Sequence, residues 1–162
     1  MPSPRPIAEV ALVPAREAFA QAFRQGKSQL VWKALPADTE TPVSAFLRLR
    51  EPGQPCFLLE SVEKAETKGR WSVIGLLPEL IWRCRGAKAE IARRDHPTDA
   101  DFVPCEEDSL ASFRALYAAS QLEIPEGLPP MASGLVGYMG YDMVRLMERL
   151  PKAKQDPIAI PD

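Results

Sequence analysis

The chain has 162 residues, 46% of them apolar and 26% charged, a balance suited to a folded domain and unlike that of a disordered segment. Its net charge of −2 offers no field for nucleic acid or an anionic membrane, and no apolar run is long enough for a signal peptide or a membrane span. The three cysteines, Cys56, Cys84 and Cys105, are odd in number and far apart, which argues against a disulfide framework or a zinc cluster and for reduced, buried thiols in a cytoplasmic protein.

Seventeen prolines, well above a usual share of about 5%, punctuate the chain and predict many short elements joined by loops. After Pro14, the stripe Ala18, Phe19, Ala22 and Phe23 predicts a helix stopped at Gly26. Leu30 to Leu35 reads as a strand ended by Pro36. Thr41-Pro42 opens a short helix with Val43, Phe46 and Leu47 inward, closed by the turn Glu51-Pro52-Gly53. An antiparallel meander of four strands is expected next: Cys56–Val62, Arg70–Leu77, Leu80–Arg85 and Lys88–Arg93. Phe57-Leu58-Leu59 does not alternate, which predicts burial on both faces in mid-sheet. In the third strand Leu80, Trp82 and Cys84 alternate with Ile81, Arg83 and Arg85, so one face is expected to be wet.

Arg94 to Pro104 is polar and reads as a loop. Asp108 or Ser109 caps the longest predicted helix, with Leu110, Phe113, Leu116 and Tyr117 on one stripe. Gly134 to Tyr141 reads as a strand, and Asp142 as the cap of a last helix carrying Met143, Val144, Met147 and Leu150. The tail after Pro151 lacks periodicity and reads as a linker. The whole predicts an α+β domain, largely antiparallel sheet packed with a few helices.

Chemistry-bearing residues are sparse. His96, the single histidine, lies among Asp and Pro and reads as a solvated loop residue. The pairs Arg93-Arg94 and Lys152/Lys154 are too short for a basic patch. Gly134-Leu135-Val136-Gly137-Tyr138-Met139-Gly140 has the wrong spacing for a dinucleotide cradle, and its glycines suit a bend or the close approach of another backbone. Glu60 and Ser61 end an apolar strand, and Arg70 stands on its return. A carboxylate there either reaches solvent at the rim or frames a polar pocket with Ser61 and Arg70. In the second case Glu60 would take an ammonium while Ser61 and Arg70 hold a carboxylate, as an amino acid requires.

Leu58-Leu59-Glu60-Ser61, the return through Gly69-Arg70-Trp71-Ser72-Val73-Ile74-Gly75, and the later GLVGYMGYDMVRLMERLP resemble, in order, the N-terminal part of anthranilate synthase component I. LLES alone is weak; the three together are specific and extend from the first strand of the meander to Pro151. The resemblance implies residues 1–151 as a regulatory domain and 152–162 as a linker to a catalytic half. It implies a parent lyase that converts chorismate to anthranilate and pyruvate, with Mg2+ held by residues of that other half and ammonia from a glutamine amidotransferase subunit or fused domain. It further implies tryptophan feedback, with Leu59, Glu60, Ser61 and Arg70 or Trp71 lining part of the effector pocket and no catalytic residue in this chain. Aminodeoxychorismate synthase component I, of the folate branch, stays open as an alternative, as does a stand-alone small-molecule-binding or interaction domain.

Overall fold

The computed structural model describes residues 11–60, 71–93, 97–151 and 160–162. They fall into two compact units, one made of the chain up to Thr41 with Leu122–Ser133, the other of Pro42–Gln121 with Gly134–Asp162.

In the first unit, helix α1 spans Arg16–Arg24, directly after Pro14 and the N-cap Ala15. Gly26 takes φ +69° just beyond its end, the left-handed stop that glycine adopts without strain. Phe19 and Phe23 stack with ring centroids 6.0 Å apart, while the Gln29 amide donates to the Phe19 carbonyl at 3.1 Å. The strand expected over Leu30–Leu35 is a single bridge, Val13 to Trp32, with reciprocal hydrogen bonds of 2.8 and 2.9 Å. Its partner segment runs at once into Pro14, which has no N–H to extend a ladder.

The second unit begins with α2, Pro42–Leu49, with proline at its first position as predicted. Strands β1 (Cys56–Glu60) and β2 (Ser72–Leu76) pair antiparallel. Strands β3 (Ile81–Arg85), β4 (Lys88–Ala92) and β5 (Val103–Pro104) form a second antiparallel sheet in that order. The class is α+β with antiparallel sheets and a few helices. The continuous meander is not observed. Leu77 after β2 has φ +49°, unusual for a bulky residue, and Pro78 cannot donate to a ladder, so pairing breaks there and two sheets result.

The expected loop Arg94–Pro104 also needs correction, with residues 94–96, including His96, outside the described set. Asp99–Asp101 forms a 3-10 turn closed by Thr98 and Asp101, each bonding the other's backbone. Val103 and Pro104 then pair with Ile91 and Glu90 of β4. This explains why the outer face of β3 is not simply wet. Arg83 reaches Asp99 at 2.6 Å and Glu90 at 3.1 Å, and its guanidinium lies 3.6 Å over the Phe102 ring. One arginine thus fastens the returning segment to the sheet by charge and by a cation–π contact.

The opposite face of β3 holds the core. Cys84, Ala89 and Met143 are buried, with Trp82, Cys105, Leu110 and Leu146 packed around them. Helix α3, Ser109–Ala119, is capped by Asp108, whose carboxylate accepts from the Ala111 N–H at 2.8 Å. Its Phe113 lies 5.2 Å from Trp82, and Trp82 Nε1 donates to Ser112 Oγ at 3.2 Å. Ser109, wholly buried, donates its hydroxyl to the Gly86 carbonyl at 2.6 Å. Of the cysteines, expected buried, Cys84 is so and Cys56 and Cys105 are half-buried.

Two expectations near the end of the chain fail. Gly134–Tyr141 belongs to no strand, because no strand among the described residues pairs with it. The last helix is a 3-10 segment, Tyr141–Leu146, preceded by Gly140. Asp142 does not cap it. Its carboxylate instead binds Arg145 Nε at 2.6 Å, and Arg145 also donates to the Pro151 carbonyl. Of the tail, residues 152–159 lie outside the described set; Asp162 donates its N–H to the Cys84 carbonyl at 2.9 Å and accepts from the Gly86 N–H at 2.6 Å.

Two consequences are measurable. A Cβ at Gly75 would lie 2.0 Å from Phe57 Cε1, because the ring crosses the glycine directly opposite it in the ladder. Gly75→Val is expected to destabilise by about 1–3 kcal/mol through overpacking, and by less in a Phe57→Ala background. Equal values in urea unfolding of both backgrounds would mean that the ring is not the obstacle. The second concerns acid. Arg83, by hydrogen bond and then by charge, holds the Asp99 carboxyl below its ordinary value. A carboxyl depressed on folding adds stability above its unfolded value of about 3.9 and loses it as pH falls through the folded value. The midpoint of thermal unfolding should therefore fall less steeply between about pH 5 and pH 2 in Asp99→Asn than in the parent sequence.

Candidate functional site

Of the residues singled out by sequence, Leu59 and Glu60 stand at the end of β1 and Trp71 directly before β2. The register sets Glu60 opposite Ser72, Leu59 opposite Val73, Leu58 opposite Ile74 and Phe57 opposite Gly75. Successive side chains of a strand point to opposite faces. Glu60 therefore shares a face with Leu58, Ser72 and Ile74, while Leu59 shares the other with Phe57 and Val73. A ligand that touches both the Leu59 and Glu60 side chains must meet the strand at its end or around its unpaired edge.

Burial falls along β1 toward that end. Phe57 and Leu58 are half-buried, Leu59 is 43% exposed and Glu60 is exposed. The expected burial of this strand on both faces is therefore not observed, for β1 has a strand neighbour on one side only. Trp71, just before β2, is 53% exposed. Ser61 and Arg70 lie outside the described residues. The register sets Ser72 across from Glu60, a place that follows from counting the antiparallel pairing back from Gly75, and Trp71 is the residue before it. The Phe57–Gly75 contact was likewise overlooked in the sequence, where a glycine inside a strand opposite an aromatic was its signal.

The chemistry available here is that of a rim: a carboxylate and a hydroxyl on one face, and an exposed indole on the residue next to Ser72. A carboxylate accepts from ammonium or amide donors, and an exposed indole offers a flat apolar face. At the far end of the hairpin, Leu49, Glu51, Gln54, Pro55, Cys56, Leu76 and Leu77 enclose a cavity of about 30 Å³, which has room for a water molecule and not for an amino acid. Elsewhere, burial pushes the Cys84 thiol up, against a hydrogen bond with Ser109, so it is a packing group beside Met143, whose sulfur lies 3.4 Å away, and a poor nucleophile. Among the described residues no three His, Cys, Asp or Glu side chains converge as a metal site, and no helix is long and apolar enough to cross a membrane.

Comparison with known proteins gives this arrangement a context. The chain is 45% identical over 146 residues to the anthranilate synthase component 1 of Cereibacter sphaeroides, covering 90% of this chain and 29% of that protein. It is 36% identical over 160 residues to the protein of the same name from Mycolicibacterium smegmatis, covering 96% of this chain and 29% of the relative. For the Thermus thermophilus protein of that name the values are 37% over 130 residues, 80% and 26%. No family model and no solved structure matches the chain. The chain spans under a third of the length of these curated relatives. Over nearly all of its own length it is homologous to them, and it belongs, as a segment of that size, to the anthranilate synthase component 1 family.

Proposed function

We propose that this chain is the N-terminal, tryptophan-sensing part of an anthranilate synthase. The parent, a cytoplasmic lyase, would convert chorismate to anthranilate and pyruvate with ammonia from a glutamine amidotransferase partner. Mg2+ would be bound in the parent's active site by residues outside this chain, where it would stabilise the anionic substrate. The residues described here contribute no ligand set to it, and no step is assigned to it in this chain.

The observation that carries the reading is the rim at Glu60. The family relationship joins it to a strand end where Leu59 and Glu60 emerge from the sheet beside Trp71. In the proposed complex Glu60 takes the ammonium group of L-tryptophan. Ser61 and Arg70 hold its carboxylate, and Leu59 and Trp71 give apolar cover to the indole. The remainder of the pocket comes from the rest of the parent, so this chain alone is inactive and binds tryptophan weakly. Feedback then requires only that tryptophan bind more tightly to the parent's low-affinity state for chorismate than to its active state.

The test uses the parent protein with its amidotransferase subunit. Supplied with chorismate and glutamine it should yield anthranilate, inhibited by tryptophan. Ser61→Phe should raise the tryptophan concentration for half-inhibition at least about tenfold, equivalent to 1.4 kcal/mol of lost binding, with uninhibited turnover unchanged. Aminodeoxychorismate as the product would overturn the assignment of the reaction. Unaltered tryptophan sensitivity in Ser61→Phe would overturn the assignment of the site.

A further inference from the structure

Among the described residues, Leu77 alone has a positive φ, +49°, without being glycine. A leucine is strained in that conformation, and the proline that follows it, Pro78, favours the extended region instead. Its side chain is 53% exposed, so burial of the leucine itself does not hold the backbone there. Residues kept in such conformations persist only where their surroundings over-determine them, and they gather at switch regions.

Leu77 stands where two packed bodies join. Helix α2 packs on β1 and β2, whereas α3 packs on β3 and β4. The two sheets share no strand, and the buried cluster around Cys84 and Met143 takes no residue from α2, β1 or β2. The chain crosses from one body to the other between Leu76, the last residue of β2, and Ile81, the first of β3. Beside the crossing, Leu49, Cys56, Leu76 and Leu77 line the cavity of about 30 Å³. A void there forfeits contacts that would otherwise fix the side chain. Ser72, opposite Glu60, lies five residues back along β2, about 16 Å away at the rise of a strand.

We propose that Leu77-Pro78 is a hinge between the body of α2, β1 and β2, which carries the Glu60 end, and the body of α3 and the β3–β5 sheet. Its left-handed leucine weights the balance between two hinge positions. This rests on reading the Glu60 end as part of a tryptophan site. Tryptophan shifts the hinge by binding one position more tightly than the other. The residue at 77 shifts the same balance without touching tryptophan, because the left-handed conformation belongs to one position only. Asparagine enters that conformation readily and a β-branched side chain resists it, so the two should act in opposite senses.

The test compares Leu77→Asn and Leu77→Val in the parent with its amidotransferase subunit. The tryptophan concentration for half-inhibition should move in opposite directions in the two variants, each by about threefold or more, with uninhibited anthranilate formation unchanged. A leucine that merely shapes a turn would alter the melting midpoint and leave half-inhibition where it was. That result, or shifts of the same sign, would overturn the hinge. A second measurement needs no tryptophan: the distance between azide-borne spin labels that replace the exposed Leu47 of α2 and Tyr117 of α3. Its distribution should differ between Leu77→Asn and Leu77→Val, and identical distributions overturn the hinge even where tryptophan inhibits. Distributions that differ in a parent indifferent to tryptophan overturn only the effector reading.

Discussion

Ser109 is wholly buried, and the second unit is arranged around the hydrogen bonds it makes. Its hydroxyl donates to the Gly86 carbonyl at 2.6 Å and its N–H to the Ala87 carbonyl at 3.1 Å. A buried hydroxyl is tolerated only when satisfied, and losing its partner costs about 1–3 kcal/mol. These two bonds fix the first turn of α3 to the β3–β4 turn, while Asp108 caps the same helix end. With that end fixed, Phe113 lies against Trp82, and Leu110 and Leu146 close around Cys84 and Met143. The sheet is extended by β5, which Arg83 fastens from the opposite face through Asp99 and Phe102.

The core so formed is small, and the rest of the second unit is organised by what lies outside it. The β1–β2 hairpin has no residue in the buried cluster. Helix α2 packs on it, and the Phe57 ring spans Gly75, but at the Glu60 end its side chains meet solvent. Segments with few buried apolar contacts open at low free energy, and binding elements are drawn from that end of the stability range. Under the proposed function this placement is apt. An effector site at a strand end can change its surroundings on binding without the β3–β5 sheet having to unfold.

Elements that satisfy themselves locally were legible in the sequence. Helix α3 offered Asp108 or Ser109 as its cap, of which Asp108 serves, and Leu110 and Phe113 of its stripe pack inward while Tyr117 is exposed. Helices α1 and α2 were framed by Pro14, Gly26 and Pro42, and the β3–β4 hairpin turned at Gly86 as read, with positive φ at that residue. What was not legible depended on partners distant in sequence. Nothing in Leu77-Pro78 declares that the chain takes a left-handed turn there and leaves one sheet for another. Arg83 read as a solvent-facing residue because its partners, Asp99 and Phe102, lie more than fifteen positions away in what looked like a loop. Of the candidate site, Leu59 and Glu60 close β1 and Trp71 precedes β2, whereas Ser72 emerged from the register alone.

The strip from Gly134 to Tyr141 differs from these cases, since its sequence reads as a strand and its surroundings supply no neighbour. A strand depends on a ladder for its backbone groups and on a second surface for its apolar faces. Neither is provided to Leu135, Val136, Tyr138 or Met139 by the described residues. Local pattern and observed structure usually agree in a natural protein, and where they part the cause is commonly a functional demand. At Leu30–Leu35 a proline beside the partner segment explains the missing strand. At Gly134–Tyr141 no such internal breaker lies between Gly134 and Tyr141, and Gly137 is free of any constraint that the described chain imposes. The strand pattern of this segment is therefore carried by its own residues, while the pairing that would realise it is not provided by the described ones.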